Sequence, residues 1–146
     1  MLKVERAAQL ELSDWSYLAV ATIELLVARI RFSIVGAQRI LRELRVPLPV
    51  SCRHRETPLA KIDVRRLSWA IAVAAKHVPW RSNCLIQVMA ADRWLRRYHL
   101  GPNFYLGVAR DEQGLLTGHA WIRFGDITVT GGRYEQFSTL IEPGAN

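Results

Sequence analysis

The chain reads as an α+β fold: helical spacing of apolar residues dominates to about residue 100, a Gly-Pro pair interrupts it, and strict alternation follows. Helices come first and strands later, which differs from the alternating βαβ pattern of a parallel sheet. A chain of 146 residues that is 50% hydrophobic and 23% charged has the size and composition of a single globular unit with one core, not of a disordered segment.

Ser13 and Asp14 supply a helix start, and Leu18, Ile23, Leu25, Leu26 and Ile30 continue it to about Leu44, with Gly36 as its weak point. Leu18, Leu25, Leu26 and Ile30 are expected to form one apolar surface. The stretch RVPLPVSCRHRETP, residues 45–58, has three prolines and no period, and is a connector. Asp63 is placed to cap a second long helix, DVRRLSWAIAVAAKH, which Pro79 must end. A third runs from Cys84 to about His99, closed by Gly101 and Pro102. NFYLGVAR (103–110), LLTGHAWIRF (115–124) and ITVTG (127–131), separated by DEQG and GD turns, predict an antiparallel meander of three strands.

A formal charge of +7 and a pI near 10.1 admit nucleic acid, an anionic membrane or an acidic peptide or protein as partner. The charge is spread, with 9 Lys/Arg and 6 Asp/Glu up to residue 60 and 11 and 7 beyond it. With neither a basic stripe nor a nucleic-acid motif, a basic non-catalytic binding module is the weaker class. Residues 17–36 have the length of a membrane span but contain Glu24, Arg29 and Arg31, so they read as a buried or docking helix. The N-terminus MLKVERAAQLELSD lacks the pattern of a secretion signal, and Cys52 and Cys84 are expected as free thiols in a reducing cytoplasm.

The stretch VPWRSNCLIQVMAADRWL, residues 78–95, sets Cys84 where a loop becomes a helix. A helix N-terminus favours the thiolate, and its free N–H groups can hold an oxyanion. A buried structural thiol is the alternative, since unpaired cysteines are among the most buried residues. His119, in GHAWIRF, sits on a predicted strand between glycine and alanine, where a rigid element could bring its imidazole to the thiol as general base. His54, His77 and His99 fall in a connector or near helix ends, and His54 with Cys52 supplies too few ligands for zinc. Asn83 and Gln87 are near enough to Cys84 to donate to an oxyanion, although Asn83 serves equally as a helix cap. Trp80 and Trp121 either wall a substrate cleft or pack in the core. Arg93, Arg96 and Arg97 are expected on an exposed face.

These residues carry a resemblance. WAIAVAAKHVPWRSNCLIQVMAADRWLRRYHL, YLGVARDEQGLLTGHAWIRF, ITVTGG and the FSTLIE ending resemble the leader peptidases of lasso peptide biosynthesis, a bacterial branch of the transglutaminase-like cysteine protease superfamily. The resemblance covers roughly residues 60–141 and rests on the pairing of PWRSNCL with GHAW. It implies a helical N-terminal region, 1–56, packed on the core or docking a partner, followed by a protease core, 57–146, with the sheet packed on the cysteine-bearing helix. It also implies Cys84 as nucleophile, His119 as base, no cofactor or metal, and a bacterial cytoplasmic setting. The implied substrate is the leader of a ribosomally made precursor; the implied partners are a small leader-binding protein and an ATP-dependent macrolactam synthetase. The rival outcome within the same chemistry is acyl transfer to an amine.

The third member of the triad departs from the family pattern. An acid is common in the strand after HAW, about where Gly131 stands, whereas the nearest acid here is Asp126, seven residues after His119. On regular strands that hairpin tip lies roughly 20 Å from the imidazole, so Asp126 serves only if the strand bends back. Glu135, a backbone carbonyl or a side-chain amide are the other candidates, and a plain turn role for Asp126 is the simpler one.

Overall fold

Short polar side chains start the helices. Asp63 accepts from the N–H groups of Arg65 and Arg66, Asn83 from that of Ile86, and Asp14 from that of Glu11. The computed structural model describes residues 11–46 and 62–142. Within them the chain forms α1 (Leu12–Val35), α2 (Ala37–Arg45), α3 (Val64–His77) and α4 (Cys84–Arg97), then β1 (Asn103–Arg110), β2 (Leu116–Phe124), β3 (Ile127–Thr130) and β4 (Ser138–Ile141). The α+β expectation holds. Gly36, at φ 81°, splits the N-terminal helix in two, because only glycine takes that conformation without strain.

The helix carrying Cys84 ends earlier than the Gly-Pro pair suggests. His99 takes the left-handed conformation at φ 59°, and the N–H groups of His99 and Leu100 bond the carbonyls of Arg96 and Leu95. This is a Schellman closure with histidine where glycine is usual. The sheet has four antiparallel strands in the order β3-β2-β1-β4, not three. The added strand, β4, pairs Gly107 with Thr139 and Val108 with Ser138 across an irregular register. Between β2 and β3, Phe124 pairs with Ile127, and Gly125, at φ 60°, turns the chain at the expected GD.

One core joins all of this. Ala21, Leu25 and Ala28 of α1 pack with Leu67 and Ile71 of α3, Ile86, Ala90 and Leu95 of α4, and Phe104, Ala120 and Ile122 of the sheet. The expected single apolar surface on α1 is divided: Leu25 is buried, while Leu26 and Ile30 face outward with Leu12, Trp15, Ile23 and Ile34. No described helix is long and apolar enough to cross a membrane. Cys52, His54 and most of the connector lie outside the described residues.

The arginines of α4 are engaged, not free. Glu24 of α1 is 1% exposed; its carboxylate is 3.1 Å from Arg93 Nε and also meets the Arg97 guanidinium. Arg96 holds Asp92 at 2.8 Å and donates to the Val46 carbonyl. Burial nevertheless pushes the Asp92 carboxyl up, against the pull of Arg96. Arg97 is exposed and Arg93 partly so, as expected of a solvated face, but with Arg96 they also form the joint between α1, α2 and the cysteine-bearing helix.

Removing both partners of Glu24, as Arg93→Met with Arg97→Met, orphans a buried carboxylate. The expected loss is about 3 kcal/mol, toward the low end for such a charge because both arginines are partly solvated. Adding Glu24→Leu should recover most of it, and urea unfolding of the three proteins checks both steps.

Candidate active site

The lead-in Ser82-Asn83 fixes where α4 begins and therefore where the thiol sits. Asn83 Oδ1 accepts from the Ile86 N–H at 3.0 Å, and Gln87 Nε2 donates to the Ser82 carbonyl at 2.9 Å. Asn83 thus caps the helix, whereas Gln87 braces its start and also lines the cavity that holds Cys84. Cys84 is the first helical residue, a free, half-buried thiol. Among the described residues the Cys84 and Leu85 N–H groups find no acceptor, as the first turn of a helix requires unless a ligand or water supplies one.

His119 lies on β2 opposite Gly107 of β1. The Phe137 ring stacks on the imidazole, with centroids 4.7 Å apart and planes inclined by 26°. Gly107 makes room for it: a Cβ there would come within 3.0 Å of Phe137 Cβ and of the Trp121 ring. Trp121, two residues along the same face, stacks between Tyr105 and Tyr134 at 5.6 and 5.2 Å. The imidazole therefore stands on an aromatic floor and under an aromatic cover.

Its nitrogen Nε2 lies 2.5 Å from the Gly131 carbonyl oxygen. A carbonyl can only accept, so this bond places a proton on Nε2 and leaves Nδ1 as the basic nitrogen of the neutral ring. Gly131 has φ 106°, and a Cβ there would fall 2.3 Å from Trp121 Cβ. Any side chain at this position, an acidic one included, collides with the floor that supports His119.

Cys84 and His119 open onto one cavity of about 670 Å³ between α3, α4 and β3. Its walls are built largely of small residues, among them Ser68, Ala75, Ser82, Thr130 and Gly132, with Lys76 as the charged group beside the reacting pair. Lys76 and Ala72 are exposed, so bulk water reaches the cavity. Ser68 does not face it free-handed: its hydroxyl donates to the Val129 carbonyl at 2.6 Å, tying α3 to β3.

The other expected site residues fall elsewhere. Asp126 is in the turn between Phe124 and Ile127, outside the cavity; the β2–β3 register shifts between Ile122 and Arg123, yet Phe124 still pairs with Ile127 and the turn stays at the end of β2, away from His119. Glu135 is exposed in the turn before Phe137 and does not line the cavity either. Trp80 packs beside the core and Trp121 lies beneath the imidazole; neither forms a cavity wall. His77 bonds the Val73 carbonyl of its own helix, and His99 closes α4. Among the described residues no three His, Cys, Asp or Glu side chains gather where they could hold a metal ion. Sequence reasoning named a backbone carbonyl only as a class, without pointing to Gly131, and missed Phe137. The paired glycines at 131 and 132 were the available signal for the first, since positive φ exposes backbone oxygen and N–H groups to neighbours.

No curated protein and no solved structure was found to match the chain. A helix-borne cysteine and a strand-borne histidine, meeting at one cavity in an α+β frame, agree with the finding that a model described as the transglutaminase-like superfamily matches residues 22–142: the chain belongs to that superfamily.

Proposed function

We propose that this protein is a cysteine peptidase that removes the leader from a ribosomally synthesised lasso peptide precursor. One observation carries the thiol chemistry: Cys84, at the positive end of α4, shares a cavity with an imidazole whose Nε2 is committed to the Gly131 carbonyl. The choice of substrate is supported by the likeness of PWRSNCL and GHAW, with the sequence around them, to lasso leader peptidases.

In this reading His119 Nδ1 takes the thiol proton, and the Cys84 sulfur attacks the carbonyl carbon at the end of the leader. The oxyanion is received by the unbonded N–H groups of Cys84 and Leu85, in place of the side chains of Asn83 and Gln87. His119 returns the proton to the leaving amine, which departs with the core peptide. Water then attacks the thioester, again giving its proton to Nδ1, and the leader leaves as a carboxylate. The Gly131 carbonyl orients the ring throughout, the task an acid performs in most triads. Exposed Ala72 and Lys76 on the cavity wall favour water as the second nucleophile, hence hydrolysis over transfer to an amine.

The partners in this reading are the precursor leader, a small leader-binding protein that presents it, and the ATP-dependent macrolactam synthetase that receives the trimmed core. Incubating the protein with lasso precursors, with and without the leader-binding protein, and weighing the products tests it. Cleavage at the leader–core junction is expected. An intact precursor in every mixture removes the substrate assignment, and amine-linked products in place of acids would select acyl transfer.

Four substitutions test the site. Cys84→Ala and His119→Ala should each lower kcat by about 1,000-fold or more in folded proteins, while Asp126→Ala changes it little. Gly131→Ala keeps a carbonyl but must displace it, and a misplacement of about 1 Å is expected to cost on the order of 100-fold. Steady-state cleavage of the same precursor reads all four. The Gly131 variant should also shift the ¹⁵N signature of the imidazole away from the Nε2-protonated form.

A further inference from the structure

Two hydroxyl groups beside the reacting pair have no partner. Thr130, the last residue of β3, is 6% exposed, and its Oγ1 is buried without a hydrogen bond; Ser82, two residues before the thiol, has a buried Oγ in the same condition. Both residues line the cavity that holds Cys84 and His119. They stand on its two sides, Ser82 with the cysteine at the start of α4 and Thr130 with Gly131 at the end of β3.

A hydroxyl withdrawn from water and left unpaired costs the fold free energy that a methyl group of the same shape would not. Other partly buried hydroxyl groups of this chain have partners within the fold: Ser68 donates to the Val129 carbonyl and Tyr17 accepts from the Asp63 N–H. Trp80 Nε1 and Arg123 Nε are also buried without a partner among the described residues, but only Thr130 and Ser82 line the cavity. Unpaired hydroxyl groups at Thr130 and Ser82, in a cavity beside the thiol, are groups whose partner arrives with a ligand. A hydroxyl both donates and accepts, so it suits a peptide group, which presents one acceptor and one donor. The small walls at Ala72, Ala75 and Gly132 let a main chain approach closely. The charge on the walls is confined to Lys76 and the reacting pair, which gives little basis for reading a substrate by charge.

We propose that Thr130 and Ser82 are substrate-binding residues that hydrogen-bond the main-chain amides of the acyl-donating peptide on either side of the Cys84–His119 pair. This rests on the reading of Cys84 as a nucleophile but not on which precursor is cut. Binding of this kind costs stability in the free enzyme, because the two hydroxyl groups have no partner within the fold.

The test compares two alkylating probes of Cys84, with the labelled residue identified by mass spectrometry so that Cys52 is scored apart. Iodoacetamide carries no peptide main chain, whereas acetyl-Ala-Ala chloromethyl ketone carries two residues of it. Thr130→Val should slow labelling of Cys84 by the ketone about three- to tenfold, the scale of one neutral hydrogen bond, and leave iodoacetamide labelling unchanged. Its Tm should equal or exceed that of the wild type. Thr130→Ser, which keeps the hydroxyl, should retain the ketone rate, and Ser82→Ala should behave as Thr130→Val.

Equal ketone rates in wild type and Thr130→Val overturn the proposal, as does a fall of several degrees in Tm, which would mean the hydroxyl is paired within the fold. Failure of the thiol reading looks different: neither probe then prefers Cys84. Failure of the lasso substrate assignment leaves both labelling rates as they were.

Discussion

A backbone carbonyl accepts hydrogen bonds and cannot donate them, and the site is organised around that restriction at Gly131. Because its oxygen sits 2.5 Å from His119 Nε2, the proton on the neutral ring is fixed and the lone pair lies on Nδ1. A carboxylate in the same place would fix the tautomer too, and would add a negative charge to stabilise the imidazolium. Here that charge is missing. A glycine without room for a side chain occupies the position, because the aromatic floor under the imidazole rises to meet it. Orientation is kept by geometry, and the electrostatic help falls to the backbone dipole and to the Phe137 ring stacked on the imidazole, whose face favours a cation.

That arrangement works only if the cysteine-bearing helix and the sheet cannot slide past one another. Ser68 bonds α3 to β3 through the Val129 carbonyl, beside the cavity. On the far side of α4, Glu24 draws Arg93 and Arg97 onto α1, and Tyr17 of α1 meets Trp94 of α4 at 5.6 Å. The N-terminal helix therefore completes the core behind the site with one face. Its other face still leaves Trp15, Ile23, Leu26, Ile30 and Ile34 toward solvent. Rigid placement of Cys84 thus depends on residues sixty positions before it as well as on its own cap.

Much of this was legible in the sequence because it depends on local rules. Asp63 and Asn83 are capping residues by chemistry, Gly36 breaks a helix by its backbone freedom, and GD between alternating runs makes a two-residue turn; each appears where its type demands. The same turn keeps Asp126 from the imidazole, since the hairpin tip lies beyond Phe124, away from His119 in the middle of the strand. What was not legible depends on contacts between distant residues. β4 is four residues long and mostly exposed, so no apolar alternation marked it. Arg93 and Arg97 look like a solvated run until a buried glutamate from α1 is placed beside them. A main-chain oxygen leaves no letter in a sequence at all, so the partner of His119 could be named only as a class.

Several residues that break local rules meet at the cavity. Gly131 holds a positive φ against a neighbouring tryptophan, Thr130 and Ser82 keep hydroxyl groups unpaired, and the first N–H groups of α4 point at no acceptor. Others lie elsewhere: His99 holds a positive φ at the end of α4, α2 starts without a side-chain cap, and Trp80 Nε1 and Arg123 Nε are buried without a partner among the described residues. Folding selects against each of those exceptions singly, because strain and unsatisfied polar groups cost stability wherever they occur. Those that meet between the start of α4 and the end of β3 are what a surface prepared for a polar, extended ligand requires: its donors and acceptors must not be used up within the fold, and the packed core behind them must hold them still.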